Sequence, residues 1–126
     1  SLVGSEMCIR DSFVMVGHMI VTDISNIPSD LSKEIVTDIL RTELGFSGVI
    51  ITDSLQMESI TDTYSAGDAA IYAVAAGNDM ILEPENLEQA VEGIKQAVKD
   101  QIIAEARINE SVRRILVMKH TAIEKE

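Results

Sequence analysis

Three short apolar runs, each followed by a stretch with helical spacing, limit what this chain can fold into. Phe13-Val14-Met15-Val16-Gly17-His18-Met19-Ile20-Val21 is near-continuously apolar and of strand length, and Val49-Ile50-Ile51 and Asp79-Met80-Ile81-Leu82 repeat the pattern. After the first run, Ser29-Asp30 stand just behind Pro28 with N-cap oxygens, and Leu31, Ile35, Ile39, Leu40 and Leu44 recur at helical spacing. Gly45 occupies the position where a helix ends with positive φ. Ser65 to Ala76 is a small-residue helix closed by Gly77. The third run stops at Glu83-Pro84, and Asn86 then caps a helix striped by Leu87, Val91, Ile94 and Val98, with Gln89 in the capping-box position. A last helix over about 105–119 places Ile108, Val112, Ile115 and Leu116 on one face.

Strand–helix alternation of this kind means βαβ units. Strands so uniformly apolar are expected to be buried on both faces, as parallel strands covered by helices are. The fold class is therefore α/β, with two architectures open: a small doubly wound sheet, or a segment of a (β/α)₈ barrel. Length decides one point. A complete barrel needs at least about 200 residues, and this chain has 126. With 46 % apolar and 25 % charged residues, it has the balance of a globular protein and can bury a core without disulfides or metals.

Charge removes several function classes. Ten Lys and Arg against 21 Asp and Glu give a net charge of −11, which repels nucleic-acid backbones and anionic membrane surfaces. No apolar run is long enough to span a bilayer. Aromatic residues are 3 % with no Trp, too few for a base-stacking platform. Ser1 to Ser12, SLVGSEMCIRDS, shows neither strand alternation nor a helical stripe and resembles vector-derived sequence. It is set apart from the domain over 13–126, and Cys8, the only cysteine, with it. The natural start is then expected to be missing, which leaves a cytoplasmic and a cell-surface or secreted location equally open.

In either architecture, function collects at the carboxyl ends of the strands. No Gly-rich phosphate cradle follows any strand, no His-x-x-x-His or similar ligand spacing occurs, and no G-x-S-x-G elbow is present. Carboxylates and one histidine remain. Asp53 leaves an aliphatic strand for a polar loop, where a carboxylate can serve as nucleophile or base, or can simply cap the next turn. His18 lies near the mouth end of the first strand, either as a hydrogen-bonded, partly buried side chain or as a substrate contact. Met57 and Leu55 follow Asp53 and either wall a pocket or pack under the loop. Glu58, Asp62 and Asp68 fit loop or helix-start positions. Asp79, at the end opposite the mouth, reads as structural, Glu83 as a turn residue, and His120 as a solvated side chain of the charged tail.

Gly48-Val49-Ile50-Ile51-Thr52-Asp53-Ser54-Leu55-Gln56-Met57 resembles the nucleophile segment of family 3 glycoside hydrolases, in their β-N-acetylhexosaminidase branch. Leu31-Ser32-Lys33 through Leu44-Gly45-Phe46-Ser47-Gly48 resembles the helix and turn before it. Ala75-Ala76-Gly77-Asn78-Asp79-Met80 resembles the helix end and strand after it, and Arg107-Ile108 through Arg113-Arg114-Ile115-Leu116 the closing helix. The resemblance runs through nearly everything from Phe13 onward.

The resemblance implies a partial (β/α)₈ barrel, its last three βα units plus a C-terminal helix. It makes Asp53 the nucleophile of a retaining hydrolase that passes through a covalent glycosyl-enzyme. His18 and Met57 become candidate substrate contacts. It implies terminal β-linked N-acetylglucosamine as substrate, with a β-glucosidase specificity as near neighbour, and no metal or organic cofactor. Enzymes of this branch carry their acid/base His on a loop after the fifth strand, in a Lys-His-x-x-Gly-x-Gly context. Neither His18 nor His120 stands in such a context, so the fragment is expected to be inactive alone. A non-catalytic α/β binding module is the alternative from a different class. Strand edges left open by truncation favour self-association.

Overall fold

The computed structural model describes residues 13–124. The segment over 1–12, with Cys8, lies outside the described residues. The elements in order are β1 (Phe13–Val16), a 3₁₀ turn (Ser29–Leu31), a π-type helix labelled α1 (Glu34–Glu43), β2 (Val49–Thr52), α2 (Glu58–Thr61), α3 (Ala66–Ala76), α4 (Leu87–Lys99) and α5 (Glu105–Glu124).

β1 and β2 pair in parallel, with Phe13 opposite Val49 and Val16 opposite Thr52. A parallel pair needs a crossover, and the 3₁₀ turn and α1 supply it. Val49, Ile50 and Thr52 are buried, as a central strand's residues should be. β1 differs from the expectation of burial on both faces, because it has a neighbour on one side only and leaves Phe13 and Met15 half-exposed.

The third apolar run is not a full strand. It meets β2 through one parallel bridge, Ile51 to Met80. Thr52 N–H donates to the Met80 carbonyl at 3.2 Å, but the next donor, Leu82 N–H, goes to the Thr52 hydroxyl at 3.1 Å. A side chain thus takes the place of a ladder carbonyl and interrupts the pairing. The run still lies parallel beside β2, since Leu55 N–H reaches the Leu82 carbonyl at 3.0 Å.

The helix expected from Leu31 to Leu44 is split. Ser29, Asp30 and Leu31 form the 3₁₀ turn with all three side chains buried, and α1 begins at Glu34 with no side-chain cap. Ser29 and Asp30 therefore do not serve as N-caps. The Ser29 hydroxyl donates to the Met19 carbonyl, and Asp30 turns into the core. At the other end Gly45 has φ +69°, as a helix stop requires. Ser65 and Asn86 do cap their helices, accepting from Asp68 N–H at 3.1 Å and Gln89 N–H at 3.0 Å.

The core follows from the small residues of α3. Ala69 and Ala73 pack with Leu31, Leu55 and Ile60, and Ala76 packs with Val36, Phe46 and Ile50. Gly67 and Gly93 let α3 and α4 approach until a Cβ on Gly93 would lie 3.0 Å from the Gly67 Cα. The stripes of α4 and α5 are only partly covered: Leu87, Val91, Val112 and Leu116 stay exposed. Asp79 is structural, as expected. Its carboxylate is buried and accepts from Arg41, Arg114, Ser111 and the Ile50 N–H. Among the described residues no helix is long and apolar enough to cross a membrane.

Candidate active site

The parallel ladder ends at Val16 and Thr52, and one further bond, Asp53 N–H to the Val16 carbonyl at 3.0 Å, continues it. Asp53 is thus the first residue past the carboxyl ends of both strands, the position where α/β sheets present ligand-binding groups. Its Oδ1 accepts from Ser54 N–H at 2.7 Å. The turn that follows is closed by the Ser54 hydroxyl, which accepts from Gln56 N–H at 3.3 Å. Capping of that turn therefore falls to Ser54. Asp53 bonds through Oδ1, and among the described residues the other oxygen of this half-buried carboxylate has no partner at the mouth.

His18 lies under this loop. Its Nε2 is 2.7 Å from the Ser54 carbonyl oxygen, which fixes the tautomer with Nε2 protonated. Its Nδ1 is 2.7 Å from Asp30 Oδ2, and the two side chains are 5 % and 0 % exposed. The short separation is not accompanied by a well-directed N–H···O bond, and Asp30 Oδ1 has no partner among the described residues. Asp30 is anchored through its backbone: its carbonyl accepts from Asn78 Nδ2 at 2.6 Å and its N–H donates to the Gly17 carbonyl at 3.2 Å.

The electrostatics follow from burial and charge. Burial pushes Asp30 up to about 6, against the opposing pull of His18, and the nearby charge of Asp53 adds to the rise. For His18, burial acts to lower the pKa, but the Asp30 contact, the Ser54 carbonyl and the charges of Asp30 and Asp53 together raise it above 6.5. Asp53 is close enough for its charge to be felt by both groups.

Of the residues singled out in the sequence, Asp53 and His18 are brought to one place. Met57 is half-exposed at the start of α2. Glu83 proves more than a turn residue: it has φ +45°, rare for a non-glycine, and its carboxylate accepts from the Ser54 hydroxyl at 3.1 Å. Asp30 escapes a reading of the sequence as a site residue, because an Asp before an apolar helical stripe has the signature of an N-cap. His120 is exposed as expected, but it lies within α5, which runs past the expected end at 119 to Glu124, and it sits 3.0 Å from Glu124.

Comparison with known proteins identifies the family. The family model described as "Glycosyl hydrolase family 3 N terminal domain" matches residues 9–118. The chain is 32 % identical over 117 residues to a beta-N-acetylglucosaminidase/beta-glucosidase of Cellulomonas fimi, covering 84 % of this chain and 21 % of that protein. A glycoside hydrolase family 3 beta-N-acetylglucosaminidase structure from Paenibacillus sp. superposes with TM-score 0.82 at 36 % identity, over 86 % of this chain and 22 % of that one. The beta-N-acetylglucosaminidase of Thermotoga maritima gives TM-score 0.80 at 28 % identity, over 85 % and 24 %. The chain thus spans about a fifth to a quarter of these relatives. With the matched model covering most of its length, it belongs to glycoside hydrolase family 3.

Proposed function

We propose that this chain supplies the nucleophile-bearing part of a retaining β-N-acetylglucosaminidase, and that its three βα units are the last three of a (β/α)₈ barrel. The observation that carries the proposal is Asp53, half-buried with a free carboxylate oxygen, one residue past the carboxyl ends of two parallel strands. In a retaining mechanism that oxygen attacks the anomeric carbon as the leaving-group oxygen is protonated, and water later releases the sugar from the ester. Met57, half-exposed three residues after Ser54, is a candidate wall of the sugar pocket. The names of the relatives support N-acetylglucosamine as the substrate unit, and the double name of the Cellulomonas fimi protein keeps a glucoside within range.

Among the described residues no histidine is presented at the mouth as the acid/base that the resemblance calls for: His18 is covered by the loop, and His120 lies near the end of α5. The 126-residue chain alone is therefore expected to hydrolyse a chromogenic N-acetylglucosaminide negligibly, and turnover would contradict this. The product of the full reading frame, treated with a fluorinated glycoside that stalls at the covalent stage, should carry the sugar on Asp53. A label on any other residue overturns the assignment. The outer edge of β1, unpaired among the described residues and with Phe13 and Met15 half-exposed, supports association with a second copy, which sedimentation of the chain would detect as a mass above monomer.

A further inference from the structure

The His18 side chain is buried, with Nε2 on a backbone carbonyl and Nδ1 facing the Asp30 carboxylate, so neither nitrogen is presented to a glycosidic oxygen at the mouth. Among the described residues its one hydrogen bond is to the carbonyl of the residue after Asp53. Resting on the reading of Asp53 as nucleophile, we propose that His18 and Asp30 are positioning residues, a buried pair that holds the Ser54 carbonyl and so fixes the direction in which Asp53 presents its carboxylate.

Three bonds meet at this short segment. Asp53 N–H is tied to the Val16 carbonyl at 3.0 Å, Ser54 N–H to Asp53 Oδ1 at 2.7 Å, and the Ser54 carbonyl to His18 Nε2 at 2.7 Å. The first two are local or belong to the ladder. The third crosses from the segment after β1 and sets the rotation of the peptide that follows the nucleophile. Asp30 braces the far side of the imidazole, and Asp30 itself is held by Asn78 and Gly17. A carboxylate with no exposed surface is costly where an apolar side chain would fill the space at no electrostatic cost. Packed 2.7 Å from Nδ1, this one fills the far side of the imidazole and keeps the ring turned so that Nε2–H points at Ser54. The titratable groups facing His18 are Asp30 from the 3₁₀ turn and Asp53 from the end of β2, with Glu83 one bond further out through the Ser54 hydroxyl.

The test has two arms. In the 126-residue chain, ¹⁵N NMR should find the His18 Nε2 proton slow to exchange and the ring titrating above 6.5. Asp30→Asn should weaken its proton affinity by about tenfold and raise amide exchange around Ser54. A His18 Nε2 proton that exchanges rapidly with solvent, or a ring titration that ignores Asp30→Asn, overturns the proposal. In the product of the full reading frame, His18→Ala should lower kcat by about a hundredfold with KM nearly unchanged, the size expected for a misaligned reacting group. His18→Gln, which keeps an N–H for the carbonyl, should recover part of the loss and flatten the pH profile. If His18→Ala does not fold, the double variant His18→Leu/Asp30→Leu, which removes both charges together, gives the same kcat reading. A fluorosugar label away from Asp53 overturns both proposals, whereas a label on Asp53 with kcat unmoved by these variants overturns only the positioning role.

Discussion

Asp79 Oδ2 lies 2.6 Å from Arg41 Nη2, tying the start of the third apolar run to the helix that precedes β2. Its Oδ1 accepts from Arg114 at 3.0 Å and Ser111 at 2.7 Å on α5, so one buried carboxylate joins three parts of the fold at the end opposite Asp53. Arg41 also donates to the Phe46 carbonyl at 3.1 Å, which fixes the turn into β2.

Asp79→Ala should therefore be among the most damaging substitutions, costing about 3–5 kcal/mol, because it strands part-buried guanidinium groups without a counter-charge. Arg114→Ala should cost clearly less, since Arg41 stays on the carboxylate. Urea unfolding of both variants checks the order; equal losses would count against Asp79 as the hub.

Stability should fall as pH rises through the range of the buried pair. Asp30 has its pKa raised from 3.8 to about 6 and His18 is raised above 6.5, so the folded chain binds more protons than the unfolded one across this window. With both values raised, the stabilisation is full below 3.8 for Asp30 and below 6.5 for His18 and is lost as pH climbs past each folded value. The difference in unfolding free energy between the chain and His18→Leu/Asp30→Leu, measured from about pH 4 upward, should decline; a rise would refute the raised values.

Gly77→Ala should destabilise by about 2 kcal/mol. Gly77 has φ +121°, and a Cβ there would lie 2.5 Å from the Thr37 hydroxyl oxygen, which itself donates to the Ala76 carbonyl at 2.6 Å. Gly45→Ala, with open space around its Cβ position, meets only the backbone term and should lose less. Thermal melts of the two variants separate steric from conformational cost.

Asp53→Ala should leave stability within about 0.5 kcal/mol, as for a part-exposed side chain outside the core. In the product of the full reading frame it should cut kcat by more than about a thousandfold, as loss of a nucleophile does. A large loss of stability with residual activity would recast Asp53 as structural.

The βαβ order, the caps at Ser65 and Asn86 and the place of Asp53 past an aliphatic strand are all legible from residue pattern, because each depends on neighbours a few positions away. Asp30 is not. A carboxylate before a helical stripe looks the same whether it caps the helix or turns inward, and only the histidine twelve residues earlier, folded over it, decides between the two. Nor can the pattern show that the Thr52 hydroxyl takes the N–H of Leu82 and reduces the third strand to one bridge. The sequence by itself determined an α/β chain with an acid at the strand mouth, since periodicity and turn chemistry are local. Tertiary structure alone decided that His18 and Asp30 meet beneath Ser54 and that Asp79 gathers Arg41 and Arg114, because those contacts join residues distant in the chain that burial forces to find partners.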